Sequence, residues 1–224
     1  IELHGDLTNV EAALWGGTTL ITLMGSNTQN ISAPNGDLPG SILTINKTGG
    51  SVVLSSNLIL NTASQDLIVT AGELNLNGYN ITVPDDFTIT DKLKLKGNET
   101  ITVNGSAPLG NAKFTLGAAS TVSYIDSAVT AVVTDLSPTF YNLVFGAGKT
   151  HEFSATGITV DGVLSSAGNT GSRSVLRKVG DASSTWALNL NGTSSLGDKV
   201  NVKFSDASGG ALVNALGSAN SGNN

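Results

Sequence analysis

A short alternation of apolar and polar residues recurs along most of the chain, about every six to eight residues. In the middle of the chain it reads Leu58-Ile59-Leu60, Leu67-Ile68-Val69 and Ile81-Thr82-Val83. Such alternation is typical of short strands with one buried face. Corners such as Asn77-Gly78 separate the triplets, because Asn and Gly tolerate the left-handed backbone of a tight bend. The pattern predicts an all-β protein built from many short strands.

The spacing of these strands distinguishes between two all-β architectures. Sandwiches and barrels place turns about every 8 to 12 residues, whereas a parallel β-helix uses shorter strands, three to a coil of roughly 20 residues. The second spacing fits, and it stacks Leu60, Val83 and Val103 on one face. We therefore expect a single-stranded parallel β-helix (β-solenoid) with about three strands per coil and roughly ten coils.

The regular pattern divides the chain into parts. Residues 1–17 do not follow it and are interpreted as an irregular N-terminal segment or end cap. Within them, residues 10–14 after Asn9 predict a helical turn, and Leu14 and Trp15 are candidates for an end cap or an interface. Similar strings at residues 42–50 and 141–150 lie about 100 residues apart, so residues 18–224 are predicted to form two diverged modules, about 18–117 and 118–224.

Composition narrows the possible functions. Only 12% of the residues are charged, about half the usual share of ~25%, so Ser, Thr, Asn and Gly must cover the surface, which favours an extracellular protein. The net charge of −6 and the scattered basic residues argue against nucleic-acid binding. Cysteine is absent, which excludes disulfides and thiolate metal sites. No apolar run has the length of a membrane span. Because no signal peptide precedes Ile1, we expect a mature product or an excised piece.

Three strings carry a resemblance to a known group of proteins: LTINKTGG at 43–50, YNLVFGAGKT at 141–150 and VKFSDASGG at 202–210. They resemble segments of repetitive bacterial surface proteins of the filamentous-haemagglutinin-like and autotransporter-like adhesin type. The resemblance covers about three-quarters of the chain and rests on repeats, not on a catalytic motif. It implies a secreted β-solenoid that acts in adhesion, surface coating or filament building at the cell surface. It assigns no functional residue.

Candidate catalytic or metal-binding groups are few. Polysaccharide-cleaving enzymes built on parallel β-helices need converging carboxylates. The best cluster is Asp85-Asp86, which we expect to be a solvated corner because adjacent side chains should not face one groove. Asp206 is a second weak metal candidate, although an Asx turn is its more common use. His4 and His151 lack converging partners. We therefore predict no catalytic residue, no cofactor and no metal beyond these weak candidates.

Other residues have mainly structural interpretations. Trp186 alternates with leucines and is predicted to lie in the core. Lys92, Lys94 and Lys96 are predicted to form the solvated face of one strand, which discourages aggregation between sheets. Asn-Xaa-Ser/Thr sequons, in about the number expected by chance, are candidates for glycosylation at Asn30, Asn46, Asn80, Asn98, Asn104 and Asn191.

The resulting functional hypothesis is a non-enzymatic extracellular structural protein. Both ends of a β-helix expose unpaired backbone groups, so copies can stack end to end into a fibre or filament. The expected partner is a second copy or adjoining repeats of a longer chain. The first alternative is an adhesin or carbohydrate-binding module that contacts a surface polysaccharide. A third, less favoured hypothesis is a polysaccharide lyase or hydrolase.

Overall fold

The computed structural model of the chain describes residues 1–9, 17–35, 38–105, 113–115, 119–124, 131–133, 139–153, 157–178, 185–197, 199–203, 205–206, 208–211, 213 and 219–220. Within these residues the chain forms strands and turns without a helix, and every pairing between the strands named below is parallel. The predicted parallel β-solenoid is therefore confirmed. The predicted helical turn at residues 10–14, Leu14, Trp15 and the module boundary near 117–118 lie outside the described residues.

The strands are short, as the alternation predicts. Those of the N-terminal half are β1 (Glu2–Leu3), β2 (Leu7–Thr8), β3 (Ile21–Gly25), β4 (Gln29–Ser32), β5 (Leu43–Leu54), β6 (Leu58–Ile59), β7 (Leu67–Asn75), β8 (Ile81–Val83), β9 (Phe87–Ile89), β10 (Lys92–Lys94), β11 (Thr100–Val103) and β12 (Lys113–Thr115). Those of the C-terminal half are β13 (Thr121–Tyr124), β14 (Ala131–Val133), β15 (Thr139–Phe140), β16 (Asn142–Phe145), β17 (Thr150–Phe153), β18 (Ile158–Val160), β19 (Val163–Ser166), β20 (Ser174–Lys178), β21 (Trp186–Leu190), β22 (Thr193–Ser195), β23 (Val200–Val202), β24 (Ser205–Asp206) and β25 (Ala219–Asn220).

The strands form four sheets, which we number I to IV. Sheet I has nine strands (β1–β5, β7, β9, β10 and β12), and sheet II has seven (β6, β8, β11, β13, β16, β19 and β22). Sheet III contains β14, β17, β20, β23 and β25, and sheet IV contains β15, β18, β21 and β24. From β16 onward the chain visits sheets II, III and IV in turn, so each coil there has the three strands that the sequence predicts.

The coil count differs slightly from the ten predicted. Sheet II is the longest uninterrupted ladder of single strands and has seven of them, and β1 and β3 of sheet I lie before its first strand, β6. Several coils are longer than the assumed 20 residues. Asp161 and Asn191, which are hydrogen-bonded across neighbouring coils, are 30 residues apart, and Glu152 and Arg177 are 25 apart.

Residues 1–9 belong to the segment that was predicted to be irregular or an end cap. They contribute β1 and β2, with Glu2 opposite Thr22 and Leu7 opposite Ile31. These strands have two residues each, which is too short for an alternation to be visible in the sequence.

One continuous core runs through the stack, from Leu7 to Val200. Val83 pairs with Val103, and Leu60, from the preceding coil, donates its backbone N–H to the carbonyl of Thr82. All three apolar side chains are buried, as the predicted stack requires. Trp186 is also buried, which confirms its predicted place in the core.

Polar groups at the corners tie successive coils together. The Asn57 side-chain oxygen accepts from the Asn80 backbone N–H at 2.9 Å, and the Asn80 oxygen accepts from that of Thr100 at 2.8 Å. Asn77 and Asn98 have positive φ angles of 52° and 62°, as expected for tight corners. The amide-rich corners therefore satisfy backbone donors that a bend would otherwise leave unpaired.

Candidate functional site

The N-terminal end of the stack presents open strand edges. β1 pairs with β3 and β2 with β4, and no other strand in the described part of the chain pairs with β1 or β2. Ile1 and Leu20 lie together at this end, since the Ile1 amino group donates to the Leu20 carbonyl at 2.6 Å. Their exposed fractions of 58% and 55% are the largest among the exposed apolar side chains. Among the described residues, this end therefore combines strand edges that lack a partner strand with an apolar surface, the features that strand addition uses.

At the opposite end, β22, β24 and β25 are the last strands of their sheets within the described residues. The two ends differ in charge. The first 46 residues contain four acidic residues and no lysine or arginine: Glu2, Asp6, Glu11 and Asp37. Residues 173–224 contain three aspartates and five basic residues: Arg173, Arg177, Lys178, Lys199 and Lys203. Opposite charges at the two ends favour a head-to-tail order over a head-to-head one.

The acidic corner differs from its prediction. Asp85 and Asp86 were expected to face different directions, yet one carboxylate oxygen from each lies within 4.8 Å of the other and of one from Asp66. The expectation assumed extended backbone, whereas these residues form the corner between β8 and β9. Asp66 also accepts the Asp86 backbone N–H at 3.1 Å. Ca²⁺ takes about six to eight oxygen ligands, so three carboxylates supply only part of such a site.

Asp206, the other weak metal candidate, forms a local turn. Its Oδ1 accepts the backbone N–H of Ser208 at 3.0 Å. Hydrogen bonds from the Ser208 side chain and backbone lower the pKa of this exposed carboxyl. This is the Asx turn that the sequence favours over a cation site.

The sequon asparagines differ in what their side chains do. Asn80 caps the next coil through Thr100, Asn30 contacts the Asp6 carboxylate, and the Asn191 Nδ2 donates to Asp161 Oδ1 at 2.7 Å. Asn46 and Asn104 are half-buried, whereas Asn98 is exposed on a turn. Glycosylation modifies the amide nitrogen, so Asn98 has the most accessible geometry for it among the six.

The two histidines differ in solvent exposure. His4 is exposed, and His151 is 1% exposed. His151 packs against Phe145 with ring centroids 4.7 Å apart and against Tyr124 at 6.3 Å. Among the described residues, neither the ring nitrogens of His151 nor the Tyr124 hydroxyl has a partner that meets the geometry of a normal hydrogen bond. Burial lowers the pKa of His151 to about 4, although an interaction with the Gly146 backbone partly raises it. Burial raises the pKa of Tyr124. The rings of Phe145 and Tyr124 therefore pack around this imidazole.

Lys47 is a buried cation that sequence reasoning did not single out. Its Nζ donates to the Met24 carbonyl at 3.0 Å and to Gln29 Oε1, and Gln29 in turn donates to the carbonyls of Leu3 and Gly5. These bonds connect three successive coils. Loss of hydration lowers the pKa of the Lys47 ammonium.

A polar groove of about 400 Å³ lies on the surface beside Lys47. Its walls include Thr48, Ser51, Gly72, Glu73, Asp91 and Lys92. Asp91 is held in place because its Oδ2 accepts the Gly72 N–H at 2.6 Å. The groove offers hydroxyls, two carboxylates and an ammonium to a polar ligand, but its wall has no aromatic ring for stacking on a sugar.

Comparisons with known proteins add no relative: no family model, no curated protein and no solved structure matches this chain. Within the described residues, no helix has the length and apolar character needed to cross a membrane.

Proposed function

We propose that this chain is a non-enzymatic structural module of an extracellular or cell-surface fibre. It stacks end to end with a second copy or with adjoining repeats of a longer chain. The edges of β1 and β2, which no other described strand pairs with, carry this proposal. The exposed Ile1 and Leu20 beside them and the opposite charges of the two ends support it. The low charge and the resemblance to surface adhesins support the extracellular setting.

The orientation of β1 suggests how a neighbour would add. Ile1 accepts from the Thr22 N–H through its carbonyl, so the carbonyl of Ile1 faces β3. Because bonding groups alternate along a parallel strand, the N–H and C=O of Glu2 face away from the stack. A strand from a neighbour would pair with Glu2 and would cover Ile1.

Negative-stain electron microscopy and sedimentation velocity at increasing protein concentration test this proposal. We expect rods that lengthen in steps of one subunit as concentration rises. A sedimentation coefficient that stays at the monomer value at millimolar concentration, with only single rods in the images, would overturn self-stacking of this chain.

A second candidate function is an adhesin or carbohydrate-binding module, which the polar groove beside Lys47 favours. Binding of a neutral oligosaccharide that is lost in Glu73→Ala would support it. A polysaccharide lyase or hydrolase is the third candidate, and it would have to use the Asp66, Asp85 and Asp86 cluster. Cleavage of pectin or alginate in the presence of Ca²⁺ that is lost in Asp86→Asn is the result that would support this candidate.

A further inference from the structure

The outward face of sheet II has an unusual composition. Twelve strand residues of this sheet point away from the core, and they comprise five threonines, three serines, one asparagine, two valines and one isoleucine. They stand in two rows. The first row is Thr100, Thr121, Asn142, Val163 and Thr193, and the second is Ile59, Thr82, Thr102, Ser123, Val144, Ser165 and Ser195. We refer to these twelve residues as the hydroxyl face.

The hydroxyl face is regular over its whole length. Its six consecutive strand pairings are all parallel, and none contains the register shift seen between β5 and β7. Paired strands are ~4.8 Å apart, and residues two apart in one strand are separated by ~6.6 Å. The side chains therefore repeat at fixed intervals in two directions on a backbone that hydrogen bonds hold rigid.

The hydroxyl face also lacks charge. None of its twelve described residues is acidic or basic. The other faces differ: sheet I carries Glu73 and Lys92 in paired positions, and sheet III carries the Glu152–Arg177 ion pair at 2.7 Å. The residues of the face are half-buried or exposed except Ser123, which is 8% exposed between its neighbours. An uncharged surface this long is distinctive even in a chain with few charged residues.

The chemistry of the face limits what it can bind. Without charge it offers no attraction to ionic surfaces or anionic polymers, and without an aromatic ring it offers no platform for a sugar ring. A threonine presents a hydroxyl and a methyl group together. In regular rows, these groups can hold water at intervals close to the oxygen spacings on the surface of hexagonal ice.

We propose that the hydroxyl face is an ice-binding surface. It orders a layer of water that matches the lattice of a growing ice crystal, and the whole side of the rod then contacts the crystal. This inference does not depend on end-to-end stacking, because the face runs along the side of a single copy. Stacked copies would extend the same rows and strengthen the contact through multivalency.

Ice-affinity partitioning of the complete chain, together with thermal hysteresis, tests the proposal. We expect the native protein to enrich in the ice fraction and to shape growing crystals. Thr102→Lys and Ser165→Lys place a charge in the second row at two separate coils. Each is expected to reduce the ice-bound fraction about tenfold, because the added ammonium holds its own hydration shell.

Thr159→Lys is the matched control, since Thr159 is a half-buried outward residue on sheet IV. It should partition into ice like the native protein, and equal thermal melting of the variants would exclude unfolding as the cause of a loss. Exclusion of the native chain from ice, or equal loss in Thr159→Lys and Thr102→Lys, would overturn the proposal. Retention on crystalline cellulose or chitin without partition into ice would likewise overturn it and would identify a polysaccharide lattice as the occupant.

Discussion

The indole of Trp186 stacks on the ring of Phe153, with the ring centroids 4.1 Å apart and the planes 19° apart. The two residues come from successive turns of the chain, on β21 and β17, and both are buried. The indole Nε1 also donates to the Lys203 carbonyl at 3.1 Å. One side chain thus links β21, β17 and the residue that follows β23 in the C-terminal coils.

Trp186→Ala should destabilise these coils by roughly 3–5 kcal/mol, because it leaves a cavity and removes the hydrogen bond to the Lys203 carbonyl. Trp186→Phe keeps an aromatic ring for stacking but loses the hydrogen bond and part of the ring volume, so a smaller loss of about 1–3 kcal/mol is expected. Since solenoids unfold in parts, hydrogen exchange at the amides of β21 and β17 is the suitable measurement. Equal protection of these amides in native protein and Trp186→Ala would contradict the expectation.

Acid should weaken the fold through His151. Its pKa is about 4 in the folded chain and near 6.5 when exposed, so the unfolded state binds a proton more readily. The stabilisation is complete above about pH 6.5 and is lost as the pH falls toward 4, with a maximum loss of about 3 kcal/mol.

The control for this prediction is His151→Phe, which preserves an aromatic core residue and removes the proton-binding group. Denaturant unfolding at a series of pH values between 7 and 4 measures the difference between the two proteins. The native protein should lose stability relative to the variant over this range, while carboxylate effects cancel. Parallel stability curves would show that the environment of His151 is more hydrated than its burial indicates.

The alternation of residues predicted the inward-facing side chains well, because a period of two is a local property of each strand. The same pattern places Lys47 inward after Leu43 and Ile45, and His151 inward before Phe153. The burial of these two side chains was not predicted, because charged and titratable residues are rarely buried. The carbonyls and the Gln29 side chain that accommodate Lys47 come from earlier coils, and no local pattern reveals them.

Contacts between residues of neighbouring coils were harder to predict than burial. Asp66 and Asp86 are 20 residues apart, a usual coil length, but Glu152 and Arg177 are 25 apart and Asp161 and Asn191 are 30 apart. Because turns of different length separate the strands, the residue that lies above a given position cannot be found by adding a constant. The Asp66 contact, in contrast, follows the usual coil length, and it was missed because only the neighbouring residues Asp85 and Asp86 were considered.

The corner glycines provide a test that separates backbone strain from steric overlap. Gly72 and Gly78 have φ angles of 87° and 93°, so a side chain is strained at either position. A Cβ at Gly72 would also lie 2.5 Å from the Lys47 Cβ, whereas nothing lies within 4 Å of a Cβ at Gly78. Gly78→Ala should cost about 1–2 kcal/mol, and Gly72→Ala should cost clearly more. Thermal melts of the two variants compare them directly, and equal losses would mean that Lys47 moves aside freely.

Glu99 is a buried carboxylate whose role is to cap a corner. Its oxygens accept the backbone N–H groups of Lys96 and Gly97 at 2.6 Å each, and that of Gly78 in the preceding coil at 2.9 Å. Glu99→Ala leaves three donors without this partner and should cost roughly 3 kcal/mol or more. Glu2→Ala, at an exposed position, should cost less than about 0.5 kcal/mol. Urea unfolding measures both, and a small effect of Glu99→Ala would show that water replaces the carboxylate.

Charge at the N-terminal edge should control the proposed stacking. Glu2 is exposed on β1, and its backbone groups face away from the stack. Glu2→Lys reverses a charge that would face the basic end of a neighbour, and lysine on an edge strand opposes strand addition. The association measured by sedimentation velocity should therefore weaken in this variant, and rising salt should weaken association of the native protein.

Thr88→Lys adds a lysine on the outer face of sheet I and serves as the control. Because Thr88 lies on the side of the rod, we expect its substitution to leave association unchanged. Equal weakening in both variants would mean that copies associate through their sides and not through their ends.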